Sequence, residues 1–302
     1  MNSIKLFILI PILLILPSSN IQSAKPTRTE LTDSIPEGAV PFEYENKLKK
    51  LILIPGTLND SVLLRYVFDT GFSTMAFSDS LATDIERKRD KKRVNKLQKA
   101  MKIRIGGWER TSGNAIDAYY LDKKNPIFGF LGADVGIIPW QFFDKKIIEI
   151  SFSKQYIREL SSTKDLFDYD SVKIVVKNGN LGIPVFVSVQ GKKITEYLII
   201  DTGCNNTIKF SNSILSKYGI KSEGAFFGEA HRVNRIQKEF YFMSDTIQVG
   251  KYFITQKNNV AFFPDKGPFP FSAGLLGTGI LEKYDIVLDL KNYYLYLKPI
   301  NK

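Results

Sequence analysis

Residues 198–203 read Leu-Ile-Ile-Asp-Thr-Gly, and residues 66–71 read Tyr-Val-Phe-Asp-Thr-Gly. In both, an apolar run ends on an Asp-Thr-Gly turn, where glycine lets the backbone bend sharply. One such string is an ordinary turn signal. Two strings with the same apolar approach point to a duplicated unit that brings Asp69 and Asp201 together, at an offset of 132 residues (201 − 69).

Working outward, the rest of the chain repeats as well. Residues 246–263 align without a gap on residues 102–119, at an offset of 144 (246 − 102), with Gly250 on Gly106 and Tyr252 on Trp108. Residues 274–277, Gly-Leu-Leu-Gly, answer residues 129–132, Gly-Phe-Leu-Gly, and residues 286–296 answer residues 147–156. One insertion of 12 residues (144 − 132) between the second aspartate and its hairpin accounts for the change in offset. A unit this long implies duplication of a lobe and not a solenoid of short repeats.

Strand patterns dominate: residues 62–68, 102–105, 115–121, 147–152, 156–160 and 181–189 are apolar or alternating, with Gly, Pro, Asn and Asp between them. Residues 78–89 and 134–143 read as helices. The expected fold class is all-β: two pseudo-twofold-related, closed barrel-like lobes with a few short helices. The lobes are assigned to residues 40–165 and 166–302, after a polar linker at 25–39.

Composition narrows the function. The chain has 302 residues, 44% hydrophobic and 24% charged, as globular proteins do. Its net charge of +11 rests in part on runs such as residues 86–93, Glu-Arg-Lys-Arg-Asp-Lys-Lys-Arg, which read as a solvated face and not as a nucleic-acid surface. A single cysteine, Cys204, excludes an intrachain disulfide, and with a single histidine, His231, it argues against a zinc cluster. Neither a metal nor another cofactor is expected. His231 reads as a loop residue and Cys204 as a small buried apolar one.

Residues 1–24 carry a lysine at position 5, an apolar run at 6–16 and the small residues Ser23 and Ala24, the pattern of a secretory signal. The expectation is a secreted or periplasmic protein of 278 residues (302 − 24) after cleavage. The alternative is an anchor at residues 6–16, although a span needs about 20 apolar residues.

These residues resemble the aspartic proteases, both the two-lobed pepsin-like enzymes and the retroviral type that pairs two chains; compact lobes of this kind are also similar to a bacterial secreted aspartyl-protease-like family. The family pattern is apolar-apolar-Asp-Thr/Ser-Gly, followed later in each lobe by two apolar residues and Gly. Here it matches Val67-Phe68-Asp69-Thr70-Gly71 with Phe130-Leu131-Gly132, and Ile199-Ile200-Asp201-Thr202-Gly203 with Leu275-Leu276-Gly277. The resemblance spans roughly residues 40–300. It implies Asp69 and Asp201 as the catalytic pair, sharing one proton and activating a water against a peptide bond. Thr70 and Thr202 would brace the opposite loop's backbone. Gly71 and Gly203 would let backbone amides reach the carboxylates, and the apolar-apolar-Gly strings would pack beside the aspartate loops. The implied partner is a polypeptide substrate, handled by a monomer with both lobes in one chain, with no nucleic acid and no membrane unless the signal is retained.

The chain departs from the family at Phe72 and Cys204, where pepsin-like lobes carry a hydroxyl and retroviral-type lobes often carry alanine. The flap, a hairpin over the cleft, falls by position near residues 87–101, a basic stretch without aromatics; the aromatic-rich residues 225–242 are the other candidate. The alternative function is a binding protein with a silent dyad on the same fold.

Overall fold

The computed structural model describes residues 35–44, 50–81, 97–98, 100–113, 116–122, 124, 128, 131, 134–231, 236–262 and 273–300. The targeting segment and most of the linker lie outside these, as do residues 87–96 and 99 of the first flap candidate and both Phe130 and Gly132. Among the described residues no helix is long and apolar enough to cross a membrane.

Among the described residues, two nine-stranded sheets and one six-stranded sheet make up the fold, with only short helical turns. The first nine-stranded sheet lies within residues 43–139 and the second within 175–277. Each is built around an aspartate strand. Val62–Asp69 lies between Ile52–Leu58, antiparallel, and Val135–Pro139, parallel. Lys192–Asp201 lies between Asn180–Val189, antiparallel, and Gly274–Gly277, parallel. The last three residues before each aspartate, Tyr66–Phe68 and Leu198–Ile200, are all buried, which is why both approaches to the aspartates are continuous apolar runs. In the second sheet Asn180–Val189 also pairs with the long strand Ile236–Val249, closing a ring.

The six-stranded sheet takes three strands from each half. Val40–Pro41, Tyr156–Leu160 and Ile147–Ser151 meet Tyr284–Asp289, Tyr294–Pro299 and Asp170–Lys173. The halves join at its centre, where Ile148 pairs Leu288 and Ile150 pairs Ile286, antiparallel. The closing hairpin expected at residues 147–160 is therefore the seam of the molecule, and its repeat is the other side of that seam. The largest core contains Tyr66, Phe68, Phe77, Phe142 and Phe143 from the first half and Phe210 and Phe262 from the second, all fully buried.

Register corrects the sequence alignment in one place. The hairpin offset of 144 holds: Leu58 pairs Ile103 as Val187 pairs Ile247, and Gly106 and Gly250 both turn with positive φ (53° and 58°). The strand beside the first aspartate, however, does not contain Phe130-Leu131-Gly132. Val67 pairs Ile137 and Asp69 pairs Pro139, just as Ile199 pairs Leu275 and Asp201 pairs Gly277. The first-half counterpart of Leu275-Leu276-Gly277 is thus Ile137-Ile138-Pro139, and Leu131 instead packs on the far face with Val67 and Val135. The helix expected at residues 134–143 is this strand followed by one 3-10 turn, Trp140–Phe143. A fully buried parallel strand has no alternation to separate it from a buried helix. The helix expected at 78–89 begins as a strand, Met75–Ser78, and a 3-10 turn, Asp79–Leu81; its remainder lies outside the described residues.

Candidate functional site

Asp69 and Asp201 sit at the C-terminal ends of their strands, where the two halves face each other. Each Asp-Thr-Gly turn closes on itself in the same way. The Gly71 amide donates to Asp69 Oδ1 at 3.0 Å, and the Gly203 amide donates to Asp201 Oδ1 at 2.9 Å. The Phe72 and Cys204 amides donate to the Asp69 and Asp201 main-chain carbonyls, both at 3.2 Å.

The turns are also laced to each other. The Thr70 amide donates to Thr202 Oγ1 and the Thr202 amide to Thr70 Oγ1, both at 3.0 Å. Thr70 Oγ1 then donates to the Ile200 carbonyl at 2.7 Å, and Thr202 Oγ1 to the Phe68 carbonyl at 2.5 Å. Both threonines are fully buried. Four reciprocal bonds across the pseudo-twofold fix the distance between the aspartate loops, and each sits where water cannot replace a lost partner. Thr70→Ala is therefore expected to strand the Thr202 amide and deprive the Ile200 carbonyl of its hydroxyl donor, costing about 3 kcal/mol. Thr70→Ser should retain most of the stability. Urea unfolding of both variants tests this; an Ala variant within about 0.5 kcal/mol of the unmodified protein would show that the lacing carries no stability.

The glycines let the loops approach. A Cβ on Gly71 would lie 2.4 Å from Asp201 Cγ, and one on Gly203 would lie 2.2 Å from Asp69 Oδ2. Each carboxyl thus rests against the glycine of the opposite turn, which sets the two acids face to face. Burial and the proximity of Asp201 push the Asp69 carboxyl well above the ordinary range. Burial raises Asp201 as well, while its hydrogen bond with Asp69, the Gly203 amide and the Lys209 charge act in the opposite direction. Two carboxyls so placed hold one proton between them, because both cannot ionise at this separation in a poorly hydrated site. Asp201 is 8% exposed, whereas Asp69 is only partly buried. Such a pair can polarise a water for attack and protonate an acceptor oxygen in the same step.

The supporting strings differ between halves. In the second, Gly277 has no room for a Cβ, which would meet the Asn206 carbonyl at 2.1 Å. The Thr278 amide and hydroxyl both donate to the Cys204 carbonyl, at 2.8 and 3.0 Å, clamping the loop that follows Asp201. Cys204 is buried with Ile199 and Leu275, in the apolar role expected of it, and burial raises its thiol to about 12. Phe72 packs against the apolar cluster of Leu51, Leu53, Val67 and Ile137. His231 ends the strand Phe226–His231, a backbone placement remote in sequence from both aspartates.

The second-half flap candidate is an antiparallel hairpin, Phe226–His231 with Ile236–Val249. Phe226 stacks on Tyr241 and Phe227 packs edge-on to Phe240, with Phe227 largely exposed. Sequence reading missed one charged group here: Lys209, buried beside Asp201 and ion-paired with Glu239 at 2.9 Å. Its only trace in sequence is a lysine between Ile208 and Phe210. Among the described residues no cluster of ligating side chains could hold a metal.

No family model and no curated protein matches the sequence. Among solved structures, the chain is similar to the aspartic proteinase from Irpex lacteus, at 11% identity and a TM-score of 0.50, over 87% of this chain and 97% of that one. At that identity the likeness speaks to fold alone. The chain has the two-lobed, nearly all-β acid-protease-like fold.

Proposed function

We propose that the protein is an aspartic endopeptidase in which Asp69 and Asp201 hydrolyse peptide bonds through a shared water. The observation that carries this reading is the pair of laced Asp-Thr-Gly turns, each with its carboxyl against the other's glycine. The ionised carboxylate takes a proton from the water as its oxygen bonds to the peptide carbonyl carbon. The protonated carboxyl gives its proton to the carbonyl oxygen, leaving a neutral gem-diol. Proton return to the amide nitrogen then lets the carbon–nitrogen bond break. Thr70, Gly71, Thr202 and Gly203 hold the geometry, so little reorganisation is needed as charge develops. The reading requires no metal or cofactor. The substrate is an extended polypeptide, and the apolar run at residues 6–16 favours action outside the cytoplasm.

The test is incubation of the purified protein with an unfolded polypeptide, with new termini mapped by mass spectrometry. Cleavage supports the reading, and its absence at every pH between 3 and 8 would overturn it. The pH dependence carries a further expectation. Activity needs the singly protonated pair, so it is confined between the two ionisations of the dyad. Burial raises both carboxyls, and neither Phe72 nor Cys204 offers the hydroxyl that would favour the ionised form. The kcat/KM maximum is therefore expected above roughly pH 4, less acidic than in dyads that ionise at about 1.5 and 4.7. A maximum near pH 2–3 would contradict this.

A further inference from the structure

The two halves of the site are not electrostatically equivalent. On the first aspartate's side, Ala76 pairs with Ile137 and lies in the apolar cluster that also holds Val67 and Phe72. On the second side, the residue in the same register, paired with Leu275, is Lys209. The counterpart of that apolar cluster is reduced to Ile199, Cys204 and Leu275. Lys209 is only 7% exposed and its amine meets Glu239, which is 1% exposed and lies on the long strand Ile236–Val249, beyond the intervening strand Asn259–Phe262. Tyr241 Oη donates to the other Glu239 oxygen at 3.2 Å. A buried ion pair in place of an alanine costs desolvation and is often no more stable than apolar packing. Its retention next to one carboxyl of a proton-sharing pair points to a role in that pair.

We propose that the buried Lys209–Glu239 pair polarises the dyad, holding Asp201 as the carboxylate that activates water and leaving the proton on Asp69. This rests on the protease reading only for the word "activates"; the asymmetry itself does not. Among the described residues, the titratable groups around Lys209 are Asp201, Cys204, Glu239 and Tyr241. The Cys204 thiol and the Tyr241 phenol are both raised to about 12 and are neutral at working pH. Lys209 pairs Leu275 and Leu275 pairs Ile199, two residues before Asp201 on its strand, so the lysine lies on the face of the sheet that carries Asp201. Its charge favours ionised Asp201, whereas the groups that act on Asp69 besides burial are Asp201 and the Gly71 and Phe72 amides. In the hydrolytic step, Asp201 then receives the water proton and Asp69 donates its own to the carbonyl oxygen. Lys209 is a positioning residue: it exchanges no proton with substrate.

Carbon-13 NMR of carboxyl-labelled aspartate tests this without relying on turnover. In Asp69→Asn, Asp201 titrates alone; in Asp201→Asn, Asp69 titrates alone. Asp201 is expected to ionise lower by about one pH unit, the scale of one charge a few ångström away in a medium of effective dielectric near 20. Adding Lys209→Met with Glu239→Gln to each variant should shrink the gap by more than half. Equal midpoints, an Asp69 midpoint below that of Asp201, or a gap that persists without the ion pair would overturn the proposal. If the doubled background fails to fold, Glu239→Gln alone in each Asn variant, which leaves the Lys209 charge unopposed, should widen the gap, and an unchanged or narrower gap would overturn the proposal. A protein that shows the titration gap but cuts no polypeptide would leave the polarisation standing and remove the protease reading.

Discussion

Asp69→Asn and Asp201→Asn are each expected to lower kcat/KM on an unfolded polypeptide by roughly 10³-fold or more, almost entirely through kcat. An amide cannot take a proton from water or hold the shared proton, whereas substrate contacts elsewhere in the cleft survive the change. Because the carboxyls act as one unit, either substitution should cost about as much as both. The same variants should gain stability at neutral pH. Both carboxyls titrate higher in the folded chain than their usual value near 3.8, so the native state binds more protons than the unfolded one. Stability from the protonated dyad is complete below that value and is lost as pH rises through the folded ionisations. Removing one acid abolishes part of that loss. Urea midpoints of the Asn variants should exceed that of the unmodified protein at pH 7 and converge with it near pH 4. Turnover within tenfold of the unmodified protein in either variant would mean that the pair is silent and the fold serves binding.

Lys209→Met is expected to destabilise the protein by about 3–5 kcal/mol, because it leaves the Glu239 carboxylate buried without its cation. The Glu239 side chain is fully enclosed and meets both the Lys209 amine and the Tyr241 hydroxyl. Adding Glu239→Gln should recover most of the loss, since a neutral amide can accept from Tyr241 and carries no unpaired charge. Equilibrium unfolding of the single and double variants separates the outcomes. Equal stability of the two would show that Glu239 does not depend on Lys209.

The repeat, the aspartates and their threonine and glycine neighbours were legible because each is a local string with an apolar approach, and a buried parallel strand writes such a string directly. The hairpins at Gly106 and Gly250 were legible for the same reason: a glycine turn between alternating strands keeps its spacing. The supporting strand of the first half was not. Gly-Phe-Leu-Gly at residues 129–132 copies the letters of residues 274–277, but Pro139 stands where the second half has Gly277, so the textual match drew the reading away from the true register. Where Phe72 packs depends on Leu51, Val67 and Ile137, three separate segments. The Lys209–Glu239 pair was hidden for a related reason. Its partners lie 30 residues apart (239 − 209), and alternation along Ile208-Lys209-Phe210 gives no sign that both faces of that strand are covered.

A high-resolution crystal structure of the unliganded protein reads the arrangement of the dyad directly. One ordered water should lie within about 3 Å of a carboxyl oxygen from Asp69 and one from Asp201, with the reciprocal threonine bonds intact beneath it. Carboxyls too far apart for one solvent molecule to touch both would contradict a hydrolytic pair drawn from the two halves.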